Sequence, residues 1–272
     1  MRRALAIAAI LVGTWAAVAA ADGGGPSPGP SWGGPGKVDS TRGLRYVALN
    51  AGADGTLVES VRLSDGVPMT WTVLHGQLGI PMVAWDGTIG GLSRDGRRLV
   101  LASSVGGKRT RFAELDPVGM RVLARARLRG SFAFDALSPN GSLMYLIQYL
   151  GSPSAVDGPY AVRVFSWKTR TLYPDPIVDR REPGEKMNGQ PVTRTGSPSG
   201  WAYTLYSRTS KRPFVHALDT IHRRAFCVDV LRRGFGFTTT VKLRVRGGVL
   251  ELRQDGRTIA RMNRRTFEVT RA

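Results

Sequence analysis

LSRDGRRLVLAS (Leu92–Ser103), LSPNGSLMYLIQY (Leu137–Tyr149) and GSPSGWAYTLYS (Gly196–Ser207) repeat one arrangement three times. Each is a small polar turn followed by a strand of alternating apolar residues. A period of roughly 40–55 residues is the spacing of four-stranded propeller blades. The repeat predicts an all-β chain, a β-propeller of about five four-stranded antiparallel blades.

Working outward from each turn, the short β-branched and aromatic runs fall into groups of four, bounded by Gly, Pro, Asn and Asp. The second blade reads Thr88–Leu92, Arg98–Ser104, Arg109–Leu115 and Arg121–Leu128. The third reads Ser131–Leu137, Leu143–Leu150, Tyr160–Trp167 and Thr171–Val178. The fourth reads Pro191–Thr195, Trp201–Ser207, Pro213–Asp219 and Ala225–Leu231. The fifth reads Phe237–Val245, Val249–Gln254, Thr258–Met262 and Thr266–Thr270. In the first blade Arg45–Ala51, Thr56–Leu63 and Val67–Leu74 follow no clear inner strand; Lys37–Gly43 is a weakly patterned substitute. The chain ends on an outer strand, so closure of the ring is left open: a small ring, an open array and a dimer that completes the circle all fit.

The blade pattern resembles secreted WD40-like propellers of the TolB and YVTN type, whose blades carry S-P-D-G before an apolar strand. LSPNG (Leu137–Gly141) is nearest, with Asn140 in place of the acid. LSRDG (Leu92–Gly96) lacks the proline, GSPSG (Gly196–Gly200) lacks the acid, and the fifth blade has only RVRGG (Arg244–Gly248). The resemblance spans most of Gly43–Ala272 and is a repeat signature, not a match to one family. It implies a binding platform more often than a catalyst, and it brings no catalytic residues with it.

The leader points outside the cytoplasm. Met1-Arg2-Arg3 precedes an uncharged apolar run from Ala4 to Ala21 with small-x-small exits, the form of a signal peptide over residues 1–21. An uncleaved anchor is the alternative, and membrane contact follows only in that case. Residues 22–43, Gly- and Pro-rich, read as a flexible tether, and residues 44–272 as the propeller. The single cysteine, Cys227, lies in an apolar strand, so no disulfide forms within the chain.

Of 272 residues, 39 are Lys or Arg and 20 are Asp or Glu, a formal net charge of +19. Such a balance favours an anionic partner, although an arginine-heavy, lysine-poor composition also follows from GC-rich coding. The arginines divide about evenly between the two faces that the blade scheme defines, which argues against one dedicated binding face. The aromatic residues fall inside strands instead of beside the basic groups, so specific nucleic-acid recognition is not expected.

Candidate site residues are few. Asp86 and Asp135 stand near the starts of inner strands, where side chains line a propeller's channel. They are ligand-binding candidates, a possible acid–base pair, or structural caps. Arg180 and Arg181 lie in the long charged stretch Asp175–Pro191, read either as a binding loop or as a surface insertion. His216, His222 and Cys227 match no metal-ligand spacing. No phosphate loop, dinucleotide fingerprint, nucleophile elbow or calcium loop is present, so no catalytic residue, metal or cofactor is assigned. The expected function is an exported, non-catalytic binding module at the cell envelope, its partner an unidentified protein or an anionic envelope polymer. The alternative is a secreted hydrolase or lyase acting on a sugar or lactone. The oligomeric state is left open.

Overall fold

The computed structural model describes residues 28–155, 158–184, 186–209, 211–232 and 240–271, and these contain strands, bridges and turns without a helix. The leader (1–21), the start of the tether and residues 237–239 of the expected inner strand Phe237–Val245 lie outside the described residues.

Blades follow one another in chain order, each an antiparallel meander. The first comprises Lys37–Asp39, Leu44–Asn50, Gly55–Arg62 and Pro68–His75. The second has Leu99–Ala102, Arg109–Asp116 and Arg121–Arg129. The third has Phe132–Leu137, Leu143–Tyr149, Tyr160–Ser166 and Thr171–Leu172. The fourth has Gln190–Gly196, Trp201–Ser207, Phe214–Asp219 and Arg224–Asp229, and the fifth Lys242–Arg246, Val249–Gln254, Arg257–Asn263 and Val269–Arg271.

The repeated polar turns act as expected. Ser138 Oγ donates to Asn140 Oδ1 (2.9 Å), which accepts from Ser142 N (3.1 Å). Gly96, Gly141 and Gly200 close the equivalent turns at φ 66°, 74° and 78°, a backbone that glycine adopts without steric cost. Alternation along each strand then sends one set of side chains to each neighbouring blade.

Four apolar clusters fill the junctions. Tyr46, Val58 and Leu74 pack on Leu99, Leu101 and Leu115; Val100 and Phe112 pack on Phe134 and Leu146. Tyr145 and Val162 meet Tyr206 and Leu218, and Tyr203 and Val215 meet Leu250 and Met262. Each such side chain contributes about 1.5–3 kcal/mol by leaving water. Among the described residues no such cluster joins the fifth blade to the first. On the first blade's free side Trp71 and Val73 are 67% and 56% exposed.

The tether expectation fails from Gly29 onward. Gly29–Ser31 pairs antiparallel with Ile80–Met82, and Trp32 Nε1 donates to the Leu78 carbonyl (3.1 Å). Lys37–Asp39 pairs with Leu44–Tyr46 and supplies the first blade's inner strand from the weakly patterned Lys37–Gly43 stretch. Gly and Pro can lie extended here because Gly79, next to the paired Ile80–Met82, has no side chain: a Cβ on Gly79 would stand 2.7 Å from Ser31 N. Gly79→Ala should therefore lift the 29–31 strand at a cost of about 1–3 kcal/mol. Limited proteolysis read by mass spectrometry should then show new cleavage before residue 37 while the blades survive.

The stretch Asp175–Pro191 is also more ordered than either sequence reading. Ile177 bridges to Val162 and Met187 to Tyr160, continuing the third blade's outer edge beyond Thr171–Leu172, and Asp179 bridges to Ala225 of the fourth blade. The connection is thus tied to the blades at these three bridges, and Ile177 and Met187 enter the junction core.

Candidate functional site

The inner edge of the second blade is where the blade scheme bends. Gly79 pairs with Ala102, and Leu92 with Leu99, but the chain between them leaves the blade as a hairpin closed by Val83 N to Thr88 O (2.8 Å). Its tip reaches the fourth blade: Trp85 N donates to Pro191 O (2.9 Å) and Asp86 N to Val192 O (3.0 Å). The third blade lies between these two in chain order, so the hairpin spans the axis on which the inner strands converge.

Asp86 anchors that crossing. Its Oδ1 accepts from Thr88 N (3.1 Å) and Thr88 Oγ1 (2.5 Å), and its Oδ2 from Thr193 Oγ1 (2.7 Å) and Lys242 Nζ (3.0 Å). Burial alone would raise this carboxyl; the bonds from Thr88, Thr193 and Lys242 outweigh it and hold the group below its ordinary value. Both oxygens are engaged, and the side chain ties together the second, fourth and fifth blades.

Above the hairpin, on the side of the polar turns, the inner strands of the first four blades enclose a cavity of about 410 Å³. Lys37, Thr88, Arg94, Asp135, Arg194 and Trp201 are among its walls. Asp135 sits at a register shift between Phe134 and Ala136, a bulge of the kind that re-aims a side chain. Its Oδ1 accepts from Arg194 Nη1, and both side chains are buried, 3% and 9% exposed. Lys37 Nζ donates to the Ile89 carbonyl (2.9 Å). Burial, and secondarily the Arg194 charge, push the Lys37 ammonium below its ordinary value.

Of the four residues proposed from sequence, only Asp135 faces this cavity. Asp86 is built into the frame beneath it. Arg181 is bonded to Asp179 (2.6 Å) and its guanidinium covers Phe226 at 5.0 Å and Phe267 at 5.7 Å, so it bolts the connection to the fourth and fifth blades. Arg180 borders a separate cavity of about 320 Å³ near Tyr173 and His222. A further cavity, about 580 Å³, lies at the rim of the fourth blade, where Arg208 already bonds Asp229 (2.8 Å). Sequence reasoning missed Lys37 and Arg194. Arg194 was legible as a charge inside an inner strand, PVTRT; Lys37 lay in Lys37–Gly43, a weakly patterned candidate strand whose facing was not legible.

His216 is buried beside the Asp135–Arg194 pair, with Cys227 Sγ 3.8 Å from Nδ1. Burial lowers its pKa to about 4, so the ring is neutral at pH 7. Among the described residues no three His, Cys, Asp or Glu side chains gather to hold a metal ion.

No family model matches the chain, and no curated protein matches it in sequence. Solved structures do match its fold. Hydrazine synthase of Kuenenia stuttgartiensis superposes with TM-score 0.52 at 13% identity, over 87% of this chain and 70% of that one. The dihydro-heme d1 dehydrogenase NirN gives TM-score 0.51 at 13% identity, over 90% of this chain and 47% of that one. TolB from Acinetobacter baumannii gives 0.46 at 14% identity, over 90% of this chain and 56% of that one. The chain therefore spans about half the length of the NirN and TolB structures. The fold is that of β-propeller proteins, and at these identities the likeness carries fold and nothing finer. A propeller fold by itself does not choose between binding and catalysis.

Proposed function

We propose that the protein is an exported, non-catalytic binding module at the cell envelope, and that its ligand enters the axial cavity above the Asp86 hairpin. One observation carries this reading. The inner strands of four blades bring charged and aromatic side chains to a single cavity, where the one carboxylate among the described residues, Asp135, is paired with Arg194. Glycoside hydrolysis of the usual kind needs two carboxyl groups facing one substrate, and Asp86 is not among the walls of the cavity that Asp135 lines. Export rests on the charged start and apolar run of residues 1–21. The partner is a protein or an anionic envelope polymer, for which the net charge of +19 supplies long-range attraction.

Thr195 lines the cavity and is partly exposed. Thr195→Trp should fill the space and reduce retention of the protein on envelope fractions by about tenfold, with an unchanged melting curve. Retention equal to wild type at both low and high salt would refute the axial site.

A further inference from the structure

We infer that the axial cavity is selective for a small organic carboxylate, held by Lys37 and Arg194 with Arg94 at the mouth. The inference rests on the reading of this cavity as the binding site and adds the chemistry of what it takes.

The charges in the walls are unequal. Among the described lining residues Lys37, Arg94 and Arg194 are cationic, and Asp135 is the one acid. Asp135 neutralises Arg194, which leaves the other two in excess. Among the described residues no carboxylate stands within ion-pair distance of Lys37 or Arg94. Lys37 is half-buried and next to Arg194, so its charge is partly desolvated and repelled. A buried cation without a counter-ion costs free energy that a bound anion offsets.

The donors are suited to a carboxylate. An ammonium has three N–H groups, of which the Ile89 carbonyl takes one. A guanidinium has five in a planar fork that matches the two oxygens of a carboxylate, and the bond to Asp135 uses Nη1. About 410 Å³ is within the range of sites for small molecules. Trp201 and Phe134 supply apolar wall for a carbon skeleton. A bare inorganic anion would leave that wall unused.

Because the whole protein is cationic, polyvalent anions also adhere nonspecifically, and the test separates the two effects. Citrate is titrated calorimetrically at pH 7 and constant ionic strength into the full chain, into Lys37→Met and into Arg257→Gln. Arg257 is exposed on the fifth blade. Lys37→Met removes a desolvated charge, so the fold should tolerate it; a melting curve confirms this. The expected result is saturable one-to-one binding, weakened about tenfold or more by Lys37→Met and by less than roughly twofold in Arg257→Gln. Equal loss in the two variants, or equal binding of sulfate by the wild type, would overturn the proposal. If citrate fails to bind while Thr195→Trp still releases the protein from envelope fractions, the site stands and its carboxylate selectivity falls. If citrate binds through Lys37 and Thr195→Trp leaves retention untouched, the cavity is a carboxylate site and the envelope reading falls.

Discussion

Asp86→Ala should lower the melting temperature by about 6–12 °C. Asp86 is 6% exposed and accepts from two threonines in different blades. Losing those bonds costs roughly 1–2 kcal/mol each. The Lys242 pair adds well under about 1 kcal/mol, because water screens the lysine; its side chain is 57% exposed. A total of about 3 kcal/mol in a domain of this size corresponds to that shift, at about 2–4 °C per kcal/mol. Asp86→Asn keeps the acceptor for Thr88 and should recover about half. Differential scanning calorimetry on the three proteins decides it. An unchanged melting temperature in Asp86→Ala would mean that the hairpin is not held by this side chain.

The second large effect is a loss of stability between pH 6.5 and about 4 that depends on His216. The folded ring titrates at about 4, against 6.5 when exposed. Within that window the unfolded chain binds a proton that the folded one refuses, so stability rises with pH and falls on acidification. The full effect is on the order of 3 kcal/mol. Burial dominates it, the Arg194 charge reinforces it and the Asp135 and Asp179 charges oppose it; Cys227 Sγ lies 3.8 Å from Nδ1. The carboxyls of Asp86, Asp179 and Asp219, held below their ordinary value of 3.8, withdraw their support at lower pH. Glu114, raised by burial, acts in the opposite sense. Comparing wild type with His216→Phe cancels these shared contributions. Denaturant midpoints at pH 7, 5.5 and 4.5 should fall steeply for wild type and weakly for His216→Phe. Parallel slopes would show that the ring is protonated in the fold.

The blade strands were readable because their signals are local. Alternation places Val100 and Leu146 in the core, and the Asn140–Gly141 turn needs only its own four residues. The first inner strand was only weakly readable within Lys37–Gly43, because its apolar Val38 is 45% exposed while Asp39 is 6% exposed, and the strand is held by pairing with Leu44–Tyr46. Gly29-Pro30-Ser31 looked like a tether because composition cannot show that Gly79 leaves room for it. The stretch around Arg180 and Arg181 looked exposed because its charge count conceals that Asp179 is 3% exposed and bonded to Arg181 and to Cys227 N.

Asp135 and Arg194 illustrate the division. The sequence by itself determined that this chain makes short strands and tight polar turns at blade spacing, because strand alternation and turn chemistry act between near neighbours. Only the tertiary structure decided which inner-strand residues meet. Lys37, Asp135 and Arg194 come from three blades and converge through sheet packing, whereas Asp86, from the same class of position, is drawn beneath them to hold the frame.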